Sequence, residues 1–208
     1  MKRTGWWVVI VAALLTGNAM AVEEAKYTVV LNEESFEVRQ YAPHVLAETV
    51  VDGDLEGAGN KAFNPLFKYI DGNNKKQGKV AMTAPVSQGA GEKIAMTAPV
   101  GQQRKNDKWV VSFMMPASYT LESLPEPNDP KVVLRQVPAR YMAAVLYSGF
   151  WSEKVYRSNL DELTSWMEKQ GLTAMGEPIW ARYNPPFMPW FLRRNEILVP
   201  VEWPVNNE

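Results

Sequence analysis

Beyond an opening apolar block, the chain falls into two similar successions of apolar runs and amphipathic stretches. In the first, Arg39-Gln40-Tyr41 and a proline lead into an apolar run over residues 45–51, read as a strand, and then into a helix candidate. In the second, Arg135 lies 96 positions after Arg39 and opens Arg135-Gln136-Val137, a proline, a strand over residues 141–147 and another helix candidate. Two more strand-like runs follow each helix, at 79–86 and 109–115 in the first half and at 178–183 and 196–201 in the second. This β-α-β-β order, met twice, predicts an α+β fold. It suggests an internal duplication relating residues 39–115 to residues 135–201, in one antiparallel sheet or open barrel with two helices.

The second helix has the cleaner signature. Tyr156, Leu160, Leu163 and Met167 share one face of a 3.6-residue period, Ser152 suits the N-cap and Gly171 the C′ position. In the first helix, Asp54 is the expected cap, and Leu55, Gly59, Ala62, Leu66 and Ile70 make the core stripe. Pro65 lies mid-helix, where it removes a backbone donor and is expected to kink or break the helix. Phe63 and Phe67 stand one turn apart beside that stripe. They either widen the core or wall a pocket for a flat apolar ligand.

A shorter repeat lies within the first half. Lys79-Val-Ala-Met-Thr-Ala-Pro-Val86 recurs as Lys93-Ile-Ala-Met-Thr-Ala-Pro-Val100 after a linker containing two glycines. Alternation puts Ile94, Met96, Ala98 and Val100 on one face of a strand, with Pro99 at a bulge or strand end. A proline-rich stretch, Pro185, Pro186 and Pro189, predicts an extended loop before the last strand.

The opening block itself reads as an address. Lys2 and Arg3 precede the apolar run of residues 6–15, and Ala19-Met20-Ala21 offers a small-x-small cleavage site. That order predicts a signal peptide over residues 1–21 and a single mature domain over residues 22–208, periplasmic or secreted. The run is about half of the roughly 20 residues that a spanning helix needs, so no membrane span is expected in the mature domain. Cleavage leaves 20 basic against 23 acidic residues, a formal charge of −3 that gives no electrostatic reason for nucleic acid as a partner. The mature chain is expected to be a monomer.

Composition narrows the chemistry. With no cysteine and one histidine, His44, the chain has no disulfide, no thiolate nucleophile and no ordinary zinc site. No Gly-x-Ser-x-Gly elbow, phosphate-cradling glycine loop or His-x-x-x-His pair is present. The expectation is therefore a protein without enzymatic activity. Met82, Met96, Met114 and Met115 could offer thioethers to copper(I), but on alternating strands they read as core fillers.

Several motifs taken together resemble the SOUL/haem-binding protein family in its bacterial form. They are Lys93 to Val100, Ala181-Arg-Tyr-Asn-Pro-Pro186 and Arg193-Arg-Asn-Glu196, supported by Ser35-Phe-Glu-Val-Arg-Gln-Tyr41, Phe67-Lys-Tyr-Ile-Asp-Gly72 and Tyr147-Ser-Gly-Phe150. The similarity runs from about Tyr27 to Val201. It implies a distorted antiparallel β-barrel of two β-α-β-β pseudo-repeats with two flanking helices. It also implies non-catalytic binding of haem or another tetrapyrrole in an apolar groove beside the first helix. Carried over, that groove maps onto Phe63 and Phe67, with Lys68 as the basic neighbour of a propionate. Where some members carry the proposed iron-ligating histidine this chain has Gln40, and a further basic contact corresponds to Met188. His44 is a weak substitute as haem ligand, because it lies beyond Pro43.

The same architecture also resembles the effector-binding domains of bacterial regulators, which take hydrophobic or cationic small molecules. Such a site wants a buried acid facing aromatics, and Glu48 and Glu196 are the candidates; the plainer reading pairs them with Arg193 or Arg194. A protein-interaction role is a third reading, resting on Phe187, Met188, Trp190 and Phe191 as an apolar surface.

Overall fold

The computed structural model describes residues 22–75 and 91–203. The expected signal segment, Met82 and the first copy of the short repeat lie outside the described residues. Along the chain run β1 (Glu23–Glu24), β2 (Tyr27–Glu33), β3 (Phe36–Tyr41), β4 (His44–Val51), α1 (Leu55–Ile70), β5 (Asn74–Lys75) and β6 (Thr97–Ala98). There follow β7 (Val100–Lys105), β8 (Lys108–Met114), β9 (Glu126–Pro127), β10 (Val133–Val137), β11 (Arg140–Tyr147) and α2 (Glu153–Lys169). The chain closes with β12 (Thr173–Ala174), β13 (Ile179–Arg182), a 3-10 turn at Trp190–Leu192, and β14 (Asn195–Glu202).

One ten-stranded sheet has the order β10-β4-β8-β7-β13-β14-β11-β3-β2, with β12 added to β14, and every pairing in it is antiparallel. The α+β class with a large antiparallel sheet and two helices therefore holds. Barrel closure is not seen: β10 and β2 are the ends of the sheet, and no pairing joins them among the described residues. Pro43 separates β3 from β4, and Pro138 separates β10 from β11, where a missing donor interrupts each ladder. The severed strands then pair at opposite ends of the sheet, β3 with β11 and β10 with β4.

Side chains alternate across this sheet, and the alternation decides what each layer holds. Val45 and Ala47 of β4 and Val111 and Phe113 of β8 bury against Ala62, Leu66, Tyr69 and Ile70 of α1. Val38, Ala143, Val145, Ile197 and Val199 bury against Leu163, Trp166 and Met167 of α2. The intervening positions, among them Tyr41, Met142, Ala144, Ala181 and Leu198, pack on the face away from the helices. Burying each large side chain contributes about 1.5–3 kcal/mol, so the two helical layers are the main source of stability.

Both caps are as the sequence implied: the Asp54 side chain accepts from Gly57 N, and the Ser152 hydroxyl accepts from Val155 N. Gly171 follows the second helix at φ +68°, a left-handed conformation that glycine takes without Cβ strain. Pro65 neither breaks α1 nor divides it; the helix runs from Leu55 to Ile70 with all five stripe residues buried. The acceptor that loses its partner is the carbonyl of Lys61, an exposed residue, where water can replace the lost donor.

The strand expected across residues 93–100 is also revised. Lys93 to Met96 are not in a strand, Met96 is exposed, and the regular ladder starts at Val100 after the cis Pro99. The strand that the pattern missed is β7, Val-Gly-Gln-Gln-Arg-Lys. Its polarity is internal: buried Gln102 donates to Leu55 O at 2.6 Å and accepts from Arg182 at 3.1 Å.

Candidate ligand-binding site

Helix α1 owes its position to the buried stripe that seats it on β4 and β8. The next face around the helix carries Phe63 and Phe67, four residues apart and thus neighbours on the surface. Their rings stack at 5.6 Å and 12°, and the Phe63 ring meets buried Phe113 edge-on at 5.5 Å and 63°. Phe63 is 40% exposed and Phe67 42% exposed, so neither belongs wholly to the core. Together they form an exposed apolar surface anchored at one end. Lys68 is exposed but faces a different depression, lined with Lys61, Asn64, Pro65, Thr49 and Lys131. The predicted trio is therefore split: the two rings share a face, and the lysine lies around the helix from them.

His44 belongs to the face of β4 opposite α1, because its neighbour Val45 is the residue packed against the helix. Its Nδ1 lies 2.9 Å from Ala42 O, so that nitrogen carries the hydrogen and donates. Burial pulls the His44 pKa below its ordinary 6.5, and the Arg140 and Arg135 charges act in the same direction. Gln40 is exposed on β3, in register with Tyr141 and Thr28 near the far end of the sheet from α1. Met188 is half-buried in the loop after β13, and its carbonyl accepts from Arg193 Nε at 2.8 Å. Among the described residues no group of three His, Asp or Glu side chains is arranged to hold a metal ion.

The two candidate acids are both engaged. Glu196 is fully buried: Oε2 accepts from Arg39 Nη1 at 2.7 Å and Tyr183 at 2.8 Å, and Oε1 accepts from Arg194 Nε and Nη2 at 2.9 and 2.8 Å. Arg39 is as deeply buried, with its guanidinium 4.4 Å from the centre of the Tyr27 ring. Burial alone would lower the Arg39 pKa, but the hydrogen bond and charge of Glu196 outweigh it and the net direction is upward. Arg194 is thus one of the partners anticipated for Glu196, whereas Arg193 instead donates to Met188 O and Pro186 O and staples the proline-rich loop. Glu48 is held bidentate by Arg135 at 2.8 and 2.6 Å.

Two features had no counterpart in the sequence reading. Arg182 is buried without a carboxylate among the described residues; it lies 5.1 and 4.9 Å from the Trp151 and Trp180 ring centres, and burial lowers its pKa to about 10. On the face away from the helices there is a small apolar cavity bordered by His44 and Arg140. Its signal was present as small residues, Gly101, Ser112 and Ala181, on adjacent strands, but only the strand order brings them together. Phe187, Trp190 and Phe191 are exposed, with Phe150 stacked on Trp190 at 5.0 Å, while Met188 is drawn partly inside.

Residues 22–200 match the family model described as SOUL heme-binding protein. Among curated relatives, heme-binding protein 1 of Mus musculus is 27% identical over 149 residues, covering 71% of this chain and 74% of the relative. Heme-binding protein 2 of Homo sapiens is 25% identical over 173 residues, covering 78% and 80%. Among solved structures, the EcmrR C-terminal domain superposes with a TM-score of 0.58 at 12% identity, covering 85% of this chain and 98% of that one. A structure described as a hydrolase from Listeria innocua gives 0.56 at 16% identity, covering 83% and 94%. At such identities the structural likeness concerns the fold alone.

Proposed function

Because the chain belongs to the SOUL heme-binding protein family, we propose that it binds haem or another tetrapyrrole without catalysis, in the apolar groove beside α1. The observation that carries this reading is the stacked, partly exposed aromatic pair Phe63 and Phe67. Exposed aromatic rings gain by covering, and offset stacking on a porphyrin adds about 0.5–1.5 kcal/mol to apolar burial. Bound haem would supply its iron as a coordination centre. The ring is held by stacking, with no iron ligand from His44, and Lys68 approaches a propionate only from around the helix. Haem is not needed for folding, since both helical cores are complete without it.

The effector-binding reading for cationic compounds is the weaker alternative, because Glu196 is already matched by two arginines and a tyrosine. The mature domain, beginning near Val22, acts in the periplasm or outside the cell as a monomer and takes no nucleic acid; the Lys2-Arg3, apolar and Ala-Met-Ala order supports export, and the mild negative charge supports the absence of a nucleic-acid partner. No helix among the described residues is long and apolar enough to cross a membrane. The two halves arose by duplication, in keeping with a strand order of β10-β4-β8-β7 followed by β13-β14-β11-β3.

The test is a titration of the mature protein with haemin and with iron-free protoporphyrin, followed by absorbance and tryptophan quenching. Similar, saturable affinity for both supports groove binding without ligation. Strong preference for haemin with a Soret shift lost in His44→Ala refutes the ligand-free account, and no saturable binding of either porphyrin refutes the tetrapyrrole reading.

A further inference from the structure

The face of the sheet away from the helices carries a second, independent feature. A cavity of about 60 Å³ lies between the strands of the two halves, walled by Leu46, Met142, Ile179 and Leu198 and bordered by His44 and Arg140. A neighbouring, more polar cavity of about 220 Å³ shares Ala25, His44 and Met114 with it. Residues 22–26 cover the second cavity as a strap. β1 pairs with Thr97 and Ala98, Ala117 N donates to Glu23 at 2.7 Å, and Arg194 reaches Glu24 at 2.9 Å.

Two polar groups in this apolar setting lack partners. Arg140 Nε is buried with no hydrogen bond, and Arg140 forms no ion pair among the described residues. The nearby acid, Glu48, is occupied by Arg135 in a bidentate pair. His44 gives Nδ1–H to Ala42 O, which leaves Nε2 free among the described residues. A buried unsatisfied donor costs about 1–3 kcal/mol, and more when charged, so the Nε of Arg140 calls for a partner, either water or a ligand. The carboxylates at the strap do not fill the role, because Glu23 and Glu24 are tied to Ala117 and Arg194.

We propose that this cavity is a binding site for a small monocarboxylate with a short alkyl tail, its carboxylate on Arg140 and its tail among Leu46, Met142, Ile179 and Leu198. The charge at the site is a guanidinium without an ion-pair partner among the described residues, which selects an anion over an amine. The wall is aliphatic and thioether, which selects an alkyl tail over a polar one. The volume admits only a few heavy atoms beyond the strap, in contrast to the roughly 300–1,000 Å³ of ordinary small-molecule pockets. The site lies on the opposite face of the sheet from the α1 groove and stands or falls separately from porphyrin binding.

His44 is the chain's single histidine, so its ring resonances are assigned without ambiguity and report on a group at the border of this cavity. The experiment titrates the untagged mature protein with butyrate and acetate, with butylamine and butanol as controls, and follows the His44 ring by NMR at constant pH and ionic strength. Expected is a saturable shift with butyrate, weaker with acetate and absent with butylamine and butanol. Arg140→Gln should weaken butyrate binding at least tenfold and Arg140→Lys should retain most of it. Ala25→Leu, at a half-buried position of the strap that lines the cavity, should fill the entrance and weaken binding as well, compared at equal folded fraction by circular dichroism. The proposal is overturned if neither acid gives a saturable shift, if butylamine or butanol matches butyrate, or if Arg140→Gln and Ala25→Leu both bind butyrate as the parent does.

Discussion

Replacing Phe67 by alanine removes half of the apolar wall while leaving its anchor in place. Phe63 is the ring that touches Phe113, so Phe67 is the one whose loss disturbs the core least. The size of the effect follows from exposure. Phe67 is 42% exposed in the free protein, so a covering ligand buries only that remainder. Full burial of such a side chain is worth about 1.5–3 kcal/mol, and the remaining share is roughly 0.6–1.3 kcal/mol. Ring stacking on the ligand adds about 0.5–1.5 kcal/mol. Together these come to about 1.1–2.8 kcal/mol, and at about 1.4 kcal/mol per tenfold the central expectation is a loss of about 25-fold in haemin affinity. The assay is quenching of tryptophan fluorescence by haemin, at equal folded fraction by circular dichroism. His44→Ala, on the other face of the sheet, should change affinity less than twofold. An unchanged affinity in Phe67→Ala, or a larger loss in His44→Ala, would refute the reasoning.

Three further outcomes follow from the described contacts. Arg39→Met leaves buried Glu196 with Arg194 and Tyr183 only; breaking a buried pair from one side costs about 3–5 kcal/mol, so urea denaturation should show a loss in that range, and a loss under 1 kcal/mol would contradict the role given to the pair. His44 titrates below 6.5 when folded, so the unfolded chain binds its proton first as pH falls; stability should therefore drop as pH is lowered from about 6.5 towards the folded value, and His44→Gln should flatten that segment of the stability–pH curve. Gly59→Ala would set a Cβ 2.0 Å from Arg182 Nη2, and because that guanidinium is confined beside Trp151 and Trp180 the strain should cost about 1–3 kcal/mol, read as a lowered melting temperature.

The elements legible in the sequence were those whose pattern is local. The stripe from Tyr156 to Met167, the caps Asp54 and Ser152, and the apolar runs of β4, β11 and β14 each carry their own periodicity or capping chemistry. β7 carried none, because its buried positions are Gly101 and Gln102, whose partners Ile179, Leu55 and Arg182 come from elsewhere in the chain. Pro65 misled for the opposite reason: its local penalty is real, but tertiary packing of the stripe outweighs it. At the site, the spacing of Phe63 and Phe67 foretold a shared face. Lys68 is the next residue in sequence, and one step along a helix turns the side chain by about 100°, which is why adjacency in the motif did not mean adjacency in space. The vacancy beside Arg140 depends on which small residues meet across strands, a matter of sheet order rather than of any one segment.

The exchange of severed strands between the two ends of the sheet also governs how the chain can reach this state. β3 completes its ladder only when β11 exists, and β4 gains β10 only after two-thirds of the chain has been made. Neither half can therefore satisfy its own backbone, and loops on the order of a hundred residues must close before the ladders reward them. Such non-local pairing raises the contact order and slows folding relative to helical bundles of similar size. The same interlocking means that opening either half exposes strand edges in the other, so the sheet should come apart as one cooperative unit.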